Sequence, residues 1–149
     1  MTDELSELYQ QVILDHSRKP RHFGTMPEAN RKAEGNNPLC GDHYTVYLKI
    51  ENGIIQDMSF EGSGCAISKA SASMMTDELR GKSVAEARKY FSQYQNMVRT
   101  GEKDEEAMGK LCAFAGVHHF PMRVKCAILP WHAMLAGLDG EPSVSTDVP

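Results

Sequence analysis

The chain has 149 residues, with 16 Lys and Arg against 20 Asp and Glu, four cysteines and a formal net charge of −4. That length is the size of one domain with one core, and the acidic balance argues against a nucleic-acid binder, because neutralising phosphates takes a surplus of Lys and Arg. No apolar run approaches the roughly 20 residues that span a membrane, and the acidic, polar opening Met1-Thr2-Asp3-Glu4-Leu5 is wrong for a secretory signal.

A cytoplasmic chain is therefore expected, in which thiols stay reduced and cysteines read as metal ligands or reactive groups. Leu5, Leu8, Tyr9, Val12 and Ile13 recur at helical spacing and predict an amphipathic helix over about 3–16. The polar stretch behind it, punctuated by Pro20, Gly24, Pro27, Gly35 and Pro38, reads as loop or edge strand. Tyr44, Val46, Leu48 and Ile50 then alternate with Thr45, Tyr47 and Lys49, the pattern of a half-buried strand over His43–Glu51. Asn52-Gly53 supplies the two positive φ angles of a type I′ turn, and Ile54 to Phe60 returns as the second strand.

Gly62-Ser63-Gly64-Cys65 opens onto a predicted helix from Ala66 to Leu79, which Gly81 ends. Ser83 and Glu86 form a capping box for a helix that carries Val84, Ala87, Phe91, Tyr94, Met97 and Val98 and stops near Thr100-Gly101. Lys103 to Glu106 is a charge run that reads as a solvated turn, and Ala107 to Phe114 as a short helix. Pro121 suits a first helical position, with Met122 to Leu138 as the last helix. Residues 139–149 lack apolar content and read as a disordered tail behind one domain, 1–138. The order predicts α+β: a small antiparallel sheet packed against several helices.

Cys40 lies where the Pro/Gly loop meets the first strand, with Asp42 two residues on; Cys65 opens a helix; Cys126 lies early in the last helix behind Arg123 and Lys125. Three thiolates and a carboxylate make the four ligands that zinc prefers. The spacing holds no CxxC pair and fits no zinc-ribbon template, so it leaves open a shared metal site or three unconnected cysteines. A thiolate at a helix N-terminus faces unpaired N–H groups, which favours its ionised form at Cys65, and Arg123 does the same for Cys126. Cys112, between Leu111 and Ala113-Phe114, reads as a small core hydrophobe, and Met74-Met75 as core filling. His118-His119 precede Phe120-Pro121 in a solvent-facing turn, and the other histidines carry no pattern.

Three separated stretches together carry a resemblance. Asn36-Asn37-Pro38-Leu39-Cys40-Gly41-Asp42, Phe60-Glu61-Gly62-Ser63-Gly64-Cys65-Ala66-Ile67-Ser68 and Phe120-Pro121-Met122-Arg123-Val124-Lys125-Cys126 resemble the U-type iron–sulfur scaffold family, IscU and SufU. Leu8-Tyr9-Gln10-Gln11-Val12-Ile13-Leu14-Asp15-His16 and Arg18-Lys19-Pro20-Arg21 also fit. Lys125, where IscU-type members have a histidine, and the long segment from Gly81 to Gly109 point to the SufU branch. The resemblance implies that Cys40, Asp42, Cys65 and Cys126 bind one zinc. It also implies a SufS-type cysteine desulfurase as partner, Cys40 as the acceptor of its persulfide sulfur, and downstream cluster-assembly or acceptor proteins. Arg123 and Lys125 would steer the partner. The alternative it allows is a scaffold that assembles a [2Fe–2S] cluster on the same residues and passes it on.

Pro130 stands inside the predicted last helix, four residues after Cys126, where it removes an N–H from the helix ladder and predicts a kink.

Overall fold

The computed structural model describes residues 3–38 and 41–145; Cys40 lies outside the described residues, as do the side chains of Leu5 and Leu8. At its centre is the hairpin of β2, Asp42–Glu51, and β3, Ile54–Ser63. Asn52 and Gly53 adopt φ of 54° and 74°, both positive as a type I′ turn requires. Tyr44, Val46 and Leu48 point inward from β2 and are fully buried, with Val46 opposite Phe60 and Leu48 opposite Met58.

The polar stretch before the hairpin forms a further strand, β1, Arg31–Asn37, antiparallel to β2. Its inward residues are Ala33, Gly35 and Asn37. They are small because the last helix presses on them: a Cβ on Gly35 would stand 3.1 Å from Ala133 Cβ and 3.2 Å from Leu129 Cδ1. Residues 143–145, expected in an unstructured tail, form β4, which pairs in parallel with Glu34–Asn36. The sheet order is β3-β2-β1-β4, so the fourth strand makes an otherwise antiparallel sheet mixed.

Helix α1 spans Asp3–Arg18, α2 Ala66–Leu79, α3 Val84–Thr100, α4 Glu105–Met108 and α5 Pro121–Leu138, with a 3₁₀ segment, Gly109–His119, before α5. Ser83 caps α3 in a complete capping box with Glu86. The expected solvated turn ends at the N-cap Asp104, and the short helix expected behind it is 3₁₀ from Gly109 onward. Helix α5 runs through Pro130 to Leu138 as one element and packs against the sheet and against α2 and α3.

Every residue of α2 from Ala70 to Thr76 is buried, which marks it as the central helix of the helical layer. Its buried hydroxyls each find a partner on another element, as buried polar groups must. Ser68 meets Tyr44 at 2.9 Å, Ser71 meets Tyr94 at 2.9 Å, Ser73 meets His16 at 2.7 Å and Thr76 meets His22 at 2.9 Å. Among the described residues no helix is long and apolar enough to cross a membrane.

Candidate metal centre

Asp42 is the first residue of β2, opposite Asn37 of β1, and only 3 % exposed. Cys65 is the N-cap of α2; its Sγ accepts the Ser68 N–H at 3.5 Å. Cys126 lies in α5, 6 % exposed. Strand start, helix cap and helix face converge: one ligand atom each from Asp42, Cys65 and Cys126 lies within 4.8 Å of the others. The Cys65 N–H donates to Asp42 Oδ1 at 3.1 Å, and Cys65 Sγ lies 3.7 Å from Asp42 Oδ2.

The electrostatics of this cluster call for a cation. The Cys65 thiol is held well below the usual thiol range, chiefly by a hydrogen bond from Cys126 and further by the Ser68 N–H and hydroxyl, while burial and the Asp42 charge oppose this. Two sulfurs and a carboxylate so close together accumulate negative charge that a shared divalent ion neutralises. The donor set, soft sulfur with one hard oxygen, fits zinc. Among the described residues no histidine joins the cluster. His118 Nδ1 instead donates to Ala115 O at 2.8 Å, His16 is buried against Ser73, and His43 pairs with Glu34.

A second row of residues supports the ligands: Tyr44, Ser68 and Gly64. Tyr44, fully buried, and Ser68 share a hydrogen bond beside Cys65, and Ser68 Oγ–H also donates to Cys65 O at 3.1 Å. Gly64 leaves the room in which these groups meet: a Cβ there would stand 2.6 Å from Ser68 Oγ and Tyr44 OH and 2.8 Å from Asp42 Oδ1. Burial pushes the Tyr44 hydroxyl far up, so it stays a neutral donor at any physiological pH.

The cluster opens onto a cavity of about 1020 Å³ between α1, the start of α2, the 3₁₀ segment and the start of α5. Ile13, Leu14, Ile67, Phe120 and Met122 give it an apolar wall, and Leu14, Phe120 and Met122 are exposed at its rim. Arg123 lies over the Phe120 ring at 4.5 Å and lines the cavity with Cys65 and Cys126, whereas the partly buried Lys125 is not among the lining residues. Cys112, expected as a core thiol, is 1 % exposed with its thiol pushed up by burial, and it too borders this cavity.

The family model for the NifU-like N terminal domain matches residues 8–127. Among characterised proteins, the zinc-dependent sulfurtransferase SufU of Bacillus subtilis is 40% identical over 138 residues, 92% of this chain and 93% of that protein. The iron–sulfur cluster assembly scaffold protein IscU of Streptococcus pyogenes is 39% identical over 132 residues, 88% of this chain and 82% of that one. A crystal structure of a candidate iron–sulfur cluster assembly scaffold protein for the SUF system, from Fervidobacterium islandicum, superposes with a TM-score of 0.82 at 37% identity, covering 89% of this chain and 97% of that chain.

Proposed function

Because this chain belongs to the NifU-like N-terminal domain family, we propose that it is a zinc-dependent sulfur carrier of iron–sulfur cluster assembly that takes persulfide sulfur from a cysteine desulfurase on Cys40. The observation that supports this most is the Asp42–Cys65–Cys126 cluster, with its ligand atoms within 4.8 Å of one another and no imidazole among them. Cys40, two residues before Asp42 in the sequence, is the fourth ligand in this reading. When bound, zinc supplies positive charge that keeps these thiols deprotonated near neutral pH. Its compartment in this reading is the cytoplasm, where thiols stay reduced.

The transfer itself is thiol chemistry. The Cys40 thiolate attacks the outer sulfur of the desulfurase persulfide, the sulfur–sulfur bond of that persulfide breaks, and the desulfurase thiolate leaves, so the persulfide now sits on Cys40. Asp42 anchors the start of α2 by accepting the Cys65 N–H, and so ties Cys65 to the start of β2. Arg123 offers a cation at the cavity rim for an anionic sulfur donor.

The identity to a protein named as a scaffold supports a second reading, assembly of a [2Fe–2S] cluster on the same residues for transfer to acceptor proteins. Metal analysis with a visible spectrum separates the two. One zinc per chain and a colourless protein support the carrier, and a brown protein that holds iron and sulfide supports the scaffold. Desulfurase turnover then tests Cys40: the wild-type chain stimulates it and Cys40→Ala does not. Equal stimulation by both ends the carrier reading.

A further inference from the structure

The two sulfurs described above ride on different helices, and Ser71 hydrogen-bonds those helices to each other. Cys65 caps α2, and Ser71 lies in the same helix. On α5, Cys126 is followed by Ala127, and Pro130 lies inside the helix. Proline brings no N–H to the helix ladder, so the turn of α5 that presents Cys126 forgoes one regular backbone bond.

At that turn the carbonyl of Ala127 takes side-chain donors. Ser71 Oγ–H donates to Ala127 O at 2.6 Å and the Tyr94 hydroxyl at 2.9 Å. Trp131 Nε1–H, further along α5, donates to Ser71 Oγ at 3.1 Å. Tyr94 stacks on the Trp131 indole at 4.4 Å between centroids and 17° between planes, and its hydroxyl also lies 2.9 Å from Ser71 Oγ. Ser71, Tyr94 and Trp131 are all fully buried. One hydroxyl of α2 thus accepts from α5 and donates to α5, while α3 reinforces it at both ends.

We propose that Ser71, with Tyr94 and Trp131, is a positioning residue of the metal centre: it clamps the Cys126 turn of α5 to the helix capped by Cys65 and so sets the separation of the two sulfurs. In its bearing on metal it rests on the reading of the cluster given above. The clamp adds side-chain donors to Ala127 O in the turn where Pro130 interrupts the backbone ladder. Outer partners of this kind fix ligand geometry, and losing one weakens metal binding about ten- to a hundredfold.

The test compares wild type, Ser71→Ala, Tyr94→Phe and Ser83→Ala, the last a helix-cap variant whose residue bonds to Glu86 and not to the cluster. Each is checked for cooperative unfolding. One readout is metal: zinc affinity by chelator competition and the ligand-field spectrum of the Co(II) form. The other needs no metal: capture of phenylarsine oxide, which requires two adjacent thiols, by metal-free protein in a Cys40→Ala background.

Ser71→Ala and Tyr94→Phe are expected to bind zinc about ten- to a hundredfold more weakly, to shift the Co(II) spectrum and to capture the arsenical more slowly, with Ser83→Ala like wild type. Wild-type behaviour of both clamp variants overturns the proposal, as does an equal change in Ser83→Ala. If wild type takes no metal but captures the arsenical, the metal reading fails; loss of capture in the variants then still supports the clamp, and unchanged capture removes it. Should Ser71→Ala fail to fold, Tyr94→Phe decides, because it deletes one oxygen and retains the stacked ring.

Discussion

The amide of Cys65 donates to Oδ1 of Asp42 at 3.1 Å, so the strand that starts at Asp42 and the helix that Cys65 caps are joined where each begins. One carboxylate thus has two duties, as an acceptor for a helix N-terminus and as a candidate metal ligand. Two substitutions separate them. Asp42→Ala is expected to lose metal and about 1–3 kcal/mol of stability, since the Cys65 N–H is left without its acceptor. Asp42→Asn retains an acceptor oxygen and is expected to recover most of the stability without the metal affinity. Denaturant unfolding of the metal-free proteins, beside zinc titration, checks both; equal metal affinity in Asp42→Asn and wild type removes the carboxylate from the ligand set.

Gly64→Ala is the steric counterpart. Its Cβ would press on Ser68 Oγ, Tyr44 OH and Asp42 Oδ1, all within 2.8 Å, and at least two of these belong to fully buried residues. Overpacking of this kind costs about 1–3 kcal/mol. Because Ser68 also bonds Cys65, a weaker metal site should accompany the loss. A melting curve and zinc titration of the variant check this, and wild-type values in both would show that the cradle is loose.

Acid should destabilise the metal-free protein through one buried and two half-buried histidines. His16, His22 and His132 all have pKa values lowered below the ordinary one, in each case chiefly by burial. The unfolded chain takes up protons near pH 6.5 while the folded chain resists them, so the unfolded state binds more protons and stability falls with falling pH. Their contribution is whole above about pH 6.5 and is lost as the pH drops from there toward the lowered folded values. Urea midpoints at about pH 7.5 and about pH 5.5 should differ in that direction, and less so in His16→Asn. A midpoint that rises on acidification would contradict it.

Far from the cluster, Ser83→Ala should cost about 1 kcal/mol, because Ser83 Oγ accepts the Glu86 N–H at 3.0 Å and Glu86 returns the bond to the Ser83 N–H at 2.9 Å. Thermal unfolding measures it. A change within error would mean that packing alone holds the start of α3.

Where side-chain period and structure coincide, the fold is legible. Tyr44, Val46 and Leu48 announce β2, Asn52-Gly53 the turn, and Ser83 with Glu86 the start of α3. For β1 the residues leave loop and edge strand both open, since its inward positions Ala33, Gly35 and Asn37 had to stay small beneath Leu129 and Ala133, and small residues leave no apolar rhythm. Strand β4 pairs over Ser143–Ser145, too short a stretch for any period. At the site, residue chemistry named Asp42, Cys65 and Cys126 before any geometry was known, but their spacing could not join them, because tertiary packing of β2, α2 and α5 does so. The Ser71–Tyr94–Trp131 bonds were invisible for another reason. Tyr94 counts there simply as part of an apolar helix face, and Ser71 and Trp131 carry no pattern that would pair them with it.

The direction of β4 has a practical side. It runs parallel to β1, from Ser143 beside Glu34 to Ser145 beside Asn36, and so heads toward the edge where β1 hands over to Asp42. A purification tag or fusion partner joined directly after Ser145 would therefore begin near the end of the sheet that carries Asp42, where it would shield the candidate metal centre from a docking protein. Assays of sulfur transfer are better built on chains that carry nothing there.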